Sequence, residues 1–287
     1  MLTIQAPAKL NLTLEVLGKR RDGYHEIRSV LQTINLCDDI TFRTGEVMTV
    51  KSNLPEWTPE KSLVMKAADL LKETTGCPDG AVIEISKRIP LVAGLGGDSS
   101  DAAAALRGLN ELWGLGLARD RLLELAAGIS SDVAFFLHGG TALAEGRGEK
   151  VTPLPPFPHR WVVLVVPNVP HLPGKTGQMY ARLQASHFTD GHITQQLTDE
   201  LRQEKEPSVL FNTFENVAFS RSSELSVYRD HILKLGAENL HLAGSGPSLF
   251  ALLADRAGAE DLYTRCKNQS METYLVETLS GRHPPTG

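Results

Sequence analysis

Residues 8–16, AKLNLTLEV, alternate Leu10, Leu12, Leu14 and Val16 with Lys9, Asn11, Thr13 and Glu15. That is the two-residue period of a half-buried strand, with one apolar and one polar face. Shorter runs at 40–43 and 47–51 predict two more strands. The stretch SLVMKAADLLKE predicts a helix over 62–73 with a serine at its start, a residue type that caps helices. A strand over 82–85 leads through IPLVAGLGG into the alanine-rich helix SSDAAAALRGLNELW. A helix over 119–127 follows, and Gly139-Gly140 opens a final hairpin.

The segment 152–159, TPLPPFPH, places four prolines in eight residues, which neither a helix nor a central strand accommodates. It marks the boundary between an amino-terminal domain, 1–154, and a carboxy-terminal domain, 160–280. Past it the pattern runs strand (161–166), helices, strand (239–243), strand (249–253), helix (257–267), strand (273–277). Setting the extra helices aside, this is the β-α-β-β-α-β order of a ferredoxin-like domain. The fold class is therefore α+β in two domains. No internal repeat is found, and Gln203–Glu206 reads as a solvated charged loop.

Composition narrows the function by exclusion. The 287 residues are 41% hydrophobic and 22% charged with a net charge of −5, and no long basic run exists to serve nucleic acid. No stretch reaches the roughly 18 apolar residues of a membrane span, and the amino terminus starts directly on a strand pattern. Cys37, Cys77 and Cys266 are far apart and fit reduced thiols better than disulfides or zinc. These features lead us to expect a cytoplasmic protein. His187 and His192 stand five apart without a further ligand nearby in sequence, so no metal centre is assigned to them.

The richest chemistry lies in PLVAGLGGDSS: Pro90, Leu91, Val92, Ala93, Gly94, Leu95, Gly96, Gly97, Asp98, Ser99 and Ser100. It follows a strand and opens a helix, so backbone N–H groups converge at a positive helix end suited to phosphate. The glycines admit close approach of phosphate oxygens, and the two serines add hydroxyls for phosphate or Mg²⁺. The plain alternative is a glycine-rich turn with Ser99 as N-cap. A dinucleotide fingerprint is excluded because Ser99 stands where its third glycine belongs. A Walker loop at Gly174-Lys175-Thr176 fails too: Val169 occupies its first glycine, and Pro170 and Pro173 remove N–H donors.

Three segments together resemble the GHMP kinases: the strand APAKLNL (6–12), the loop GLGGDSSDAA (94–103) and the turn Gly244-Ser245-Gly246-Pro247. Within that family, residues 6–40 with the turn Asp22-Gly23-Tyr24-His25, and SSDVAFFLHGGTALAEGRGE (130–149), are similar to the branch acting on a cytidine-bearing erythritol. The resemblance implies ATP with Mg²⁺, and an acceptor, 4-diphosphocytidyl-2-C-methyl-D-erythritol, phosphorylated at its 2-hydroxyl for isoprenoid precursor synthesis. Alternatives are another small-molecule kinase of the family or an inactive binding protein of the same fold. The chain departs from the pattern at Asp98, where a glycine is usual, and at Ser131 and Ala134.

The resemblance also implies roles. Lys9 matches the catalytic lysine and Asn11 a substrate-site neighbour, although periodicity alone reads both as a solvated polar face. Asp132 matches the catalytic aspartate, where position alone reads a helix cap. Tyr24 and His25 match the pair that holds cytosine, and Thr176 a threonine near the acceptor. The 244–247 turn reads by itself as a hairpin between strands.

Overall fold

The computed structural model describes residues 1–170 and 174–281, the side chains of Lys61 and Arg221 excepted. Pro173, one of the two prolines weighed against a Walker loop, lies outside the described residues. In chain order the elements begin with β1 (Leu2–Lys19), β2 (His25–Gly45), β3 (Thr49–Ser52), α1 (Leu63–Thr75) and β4 (Gly80–Ser86). Next come α2 (Gly97–Leu112), α3 (Arg119–Ala127), α4 (Val133–His138), β5 (Thr141–Gly146), β6 (Lys150–Pro153) and β7 (Trp161–Val166). The remainder is α5 (Lys175–Arg182), α6 (His192–Arg202), β8 (Phe211–Asn212), α7 (Glu215–Arg221), α8 (Ser223–Lys234), β9 (His241–Leu242), β10 (Leu249–Leu253), α9 (Arg256–Asn268) and β11 (Glu272–Glu277).

The chain forms two compact units interleaved in sequence. The first comprises Met1–Ala8, Leu36–Pro90 and Gly96–Gly139; the second comprises Lys9–Asn35, Leu91–Leu95 and the chain from Gly140. The proline-rich segment at 152–159 falls inside the second unit.

In the first unit, β4 pairs antiparallel with the end of β2 (Ile40 opposite Ile85) and parallel with β3. Helices α1 and α4 both pack on α2, and Ala102–Leu106 of α2 are all buried. Small side chains along α2 let its neighbours approach closely, and Phe42, Leu71 and Ile83 supply the bulk of the core.

In the second unit, β5 pairs antiparallel with the start of β2, and β8 pairs parallel with β1 through Leu14 and Asn212. A separate sheet has the order β11-β7-β10-β9 with antiparallel pairs throughout. Numbered within this part of the chain, that order is 4-1-3-2, the ferredoxin-like arrangement expected from the sequence. Its apolar layer runs through Val163, Val165, Leu249, Ala251, Leu262 and Cys266.

One expectation is corrected. Periodicity alone reads Lys9 and Asn11 as a solvated polar face, but both are buried, at 6% and 4% exposure, as are Thr13 and Glu15 beside them. The polar face is sealed by hydrogen bonds. Asn11 donates to Ser29 Oγ (2.8 Å), Ser29 Oγ donates to the Thr13 carbonyl (2.5 Å), and Thr194 N donates to Glu15 Oε2 (2.7 Å). Satisfied polar groups can be buried at little cost, and alternation does not reveal whether a polar face meets water or partners.

Candidate active site

Lys9 places its ammonium 2.6 Å from Asn11 Oδ1, and its backbone N–H donates to the Leu95 carbonyl at 2.9 Å. The first motif is thereby tied to the glycine loop by the main chain. The loop meets the third motif as closely. A Cβ at Gly94, whose φ is +84°, would lie 2.2 Å from the Ala243 carbonyl oxygen. At Gly244, with φ +55°, it would lie 2.9 Å from the Gly94 carbonyl and 3.2 Å from Lys9 Nζ. Only glycine satisfies both the positive φ and the contact. Asn212 fixes the turn from β8, donating to the Leu242 and Gly244 carbonyls at 2.8 Å each. Three segments far apart in sequence thus meet within the second unit.

Past the loop the chain turns at Gly96, with φ +74°, and α2 starts at Gly97. The helix begins three residues earlier than a Ser99 cap would require. No side chain caps it, so its first N–H groups face an end that a phosphate would satisfy. Ser99 Oγ lies 2.8 Å from Ser130 Oγ. Ser100 is 1% exposed and its Oγ has no hydrogen-bond partner among the described residues. At the start of α2 the uncapped helix end and the orphan Ser100 hydroxyl suit a phosphate group.

Beneath that helix end lies a buried charge cluster. Lys87 Nζ is 2.7 Å from Asp38 Oδ2 and 2.8 Å from Asp101 Oδ2, with all three side chains at 1% exposure or less. Burial opposes the lysine's charge, but Asp101 and Asp38 outweigh it and hold its pKa above the ordinary value. Burial pushes the Asp101 carboxyl well above the usual carboxylate range, and the neighbouring Asp38 adds to this against the pull of Lys87. Asp98, the departure from the family glycine, is 60% exposed and 3.8 Å from Lys87. Its carboxylate is turned toward solvent and a cation. Lys87 and Asp38 escaped the sequence reading because nothing in their spacing separates them from ordinary surface charges.

Asp132 occupies the N-cap position of α4, yet its side chain makes no capping hydrogen bond. The carboxylate does not act as a side-chain cap of that helix.

Tyr24 is 57% exposed, with the Arg147 guanidinium 4.7 Å from its ring centroid. His25 opens β2 and stacks on Tyr180 (4.8 Å, 19°), with Phe188 edge-on at 6.0 Å. Burial, and then the charge of Lys19, lower its pKa, which leaves a neutral imidazole with one donor and one acceptor at neutral pH. Tyr180 and Phe188 carry no motif of their own, and Arg147, inside the segment 130–149, was not singled out there; only their aromatic or cationic character hinted at them. Thr176 Oγ1 sits 3.0 Å from Ser245 Oγ, joining α5 to the glycine turn.

His187 and His192 do not act together. His192 pairs with Asp190 at 2.5 Å, which raises its pKa, and Glu15 comes within 4.8 Å of that pair. No helix among the described residues is long and apolar enough to cross a membrane.

A glycine cradle at a helix start, a buried strand lysine and a glycine turn from a ferredoxin-like part define the GHMP class of small-molecule kinases. Residues 62–140 match the family described as GHMP kinases N terminal domain. The 4-diphosphocytidyl-2-C-methyl-D-erythritol kinase of Dehalococcoides mccartyi is 49% identical over 97% of this chain and 99% of its own. That of Geobacillus kaustophilus is 39% identical over 98% of each. A crystal structure of 4-(cytidine 5'-diphospho)-2C-methyl-D-erythritol kinase superposes with TM-score 0.82 at 30% identity, covering 98% of this chain and 100% of that one. The chain belongs to the 4-diphosphocytidyl-2-C-methyl-D-erythritol kinase family. Homoserine kinase from Cytophaga hutchinsonii, with TM-score 0.73 at 19% identity over 98% of this chain and 95% of that one, shares the fold.

Proposed function

We propose that this kinase transfers the γ-phosphoryl group of ATP, with Mg²⁺, to the 2-hydroxyl of 4-diphosphocytidyl-2-C-methyl-D-erythritol in isoprenoid precursor synthesis. Family membership supports the reaction, through relatives matched over nearly the whole chain. The observation that carries the acceptor is the turn at Asp22–His25, where Tyr24 offers an exposed ring beside Arg147 and His25 a neutral imidazole. Cytosine needs such a π surface and hydrogen-bonding edge.

In this reading residues 1–154 carry Lys9, the phosphate loop and Asp132, and residues 160–280 add Thr176 and the glycine turn. The loop from Pro90 to Ser100 holds the ATP phosphates by backbone N–H groups, with Ser99 and Ser100 as the hydroxyls for phosphate or metal. Bound ATP and Mg²⁺ supply the transferable phosphoryl group and neutralise its equatorial charge. Asp132 orients the acceptor hydroxyl and takes its proton as the oxygen attacks. Lys9, held by Asn11, stabilises the negative charge that develops during transfer. Thr176 contacts the acceptor end.

Base–aromatic stacking is worth about 1–3 kcal/mol per base, so Tyr24→Ala should lower kcat/KM for the cytidyl acceptor by about one to two decades. The KM for ATP should stay unchanged. Methylerythritol phosphate, which lacks cytidine, should be a poor acceptor for both proteins and lose nothing further in the variant. Equal losses on both acceptors would remove Tyr24 from cytosine recognition.

A further inference from the structure

Lys175 at the start of α5 is half-buried, with no counter-charge on its ammonium among the described residues. Its Nζ is out of contact with solvent and has no hydrogen-bond partner among the described residues. Burial alone draws its pKa from 10.5 down to about 8. An unpaired buried ammonium is among the costliest groups a fold can hold.

Lys175 lines a cavity of about 400 Å³ within the second unit, a volume suited to a small ligand. Among the described residues the other charged groups on its wall are Arg182 and Glu224, so with Lys175 protonated that lining carries one net positive charge. Ser222, Ser223 and Ser245 add hydroxyls. The first two stand at the start of α8, a 12-residue helix whose positive end favours anions; Ser222 Oγ caps it by accepting from the Leu225 N–H, and Ser245 Oγ pairs with Thr176 Oγ1. Ser245 belongs to the glycine turn whose neighbour Gly244 packs against Lys9.

We infer that this cavity is a phosphate-binding site, with Lys175 as its principal cation and Arg182 and the serine hydroxyls completing the shell. The occupant is a phosphate or diphosphate group, borne either by the acceptor itself or by a separate phosphorylated metabolite. The site does not depend on the acceptor assignment, since its direct test uses neither substrate.

That test follows the lysine side-chain NMR signals of the full-length protein while inorganic pyrophosphate is added without Mg²⁺. The signal lost in Lys175→Met identifies Lys175. Binding of a diphosphate should move its titration midpoint from about 8 toward 10.5, because an adjacent anion favours the charged form. Lys175→Met should lack one pyrophosphate isotherm and keep any that belongs to the glycine loop. Lys175→Arg should retain it, and retain it at higher pH. A midpoint that pyrophosphate leaves in place, or identical isotherms for wild type and Lys175→Met, would overturn the site.

The thermal midpoint gives an independent check. Because the folded pKa is lowered, the unfolded chain binds more protons between about pH 8 and 10.5, so ligand-free wild type should gain stability relative to Lys175→Met as pH rises through that window. A flat difference would contradict the unpaired ammonium on which the site rests. Kinetics then separates the two sources. If the diphosphate is the acceptor's, Lys175→Met raises the acceptor KM alone and pyrophosphate competes with the acceptor. If it is another metabolite's, the acceptor KM holds and pyrophosphate acts without competing.

Discussion

Asp132 and Lys9 show what a single side chain must do here. The carboxylate stands at a helix start without capping it, and the lysine is buried with its ammonium aligned by Asn11. Asp132→Asn preserves size and polarity but cannot accept a proton. Turnover should fall by roughly 10²–10⁴, the range of general-base work, while ATP binding measured by calorimetry stays as in the wild type. Near-normal turnover would exclude the aspartate from proton transfer. Of these residues, Lys9, Asn11, Asp132 and the glycine loop were legible because family motifs surround them. The burial of Lys9 and Asn11 was not legible. Ser29, which accepts from Asn11, and Thr194, which donates to Glu15, come from a strand and a helix distant in sequence, and periodicity carries no record of them.

At the scale of elements, local pattern succeeded where one physical rule dominates. The strand at 161–166, the helix at 119–127 and the strand at 249–253 coincide with β7, α3 and β10. It failed where pairing extends an element beyond its own propensity. β2 runs 21 residues although only its end reads as a strand, because β4 and β5 hydrogen-bond to different halves of it. β8 is two residues long and exists through its register with β1. The Lys87 cluster likewise joins elements: Asp38 from β2 and Asp101 from α2 converge on one ammonium. Lys87→Met would leave two buried carboxylates without their cation, and removing one partner of a buried pair costs about 3–5 kcal/mol. Urea unfolding should record that loss, and adding Asp101→Asn should recover part of it. A loss below about 1 kcal/mol would show that the cluster does not anchor the helix start.

For the molecule as a whole, fold and chemistry answer different questions. The fold is shared with homoserine kinase at 19% identity, so the fold by itself does not choose an acceptor. In the proposed reading acceptor choice rests on Tyr24 and His25, which have different partners: one meets Arg147, the other Tyr180 and Phe188. The direct measurement is ADP release by the purified protein with ATP and Mg²⁺. Four acceptors are compared side by side: 4-diphosphocytidyl-2-C-methyl-D-erythritol, mevalonate, homoserine and galactose. Phosphorus NMR of the product identifies the modified oxygen. The account predicts turnover with the cytidyl acceptor alone and a new phosphomonoester on its 2-hydroxyl. Preference for any of the other three, or phosphate on a different oxygen, would contradict it.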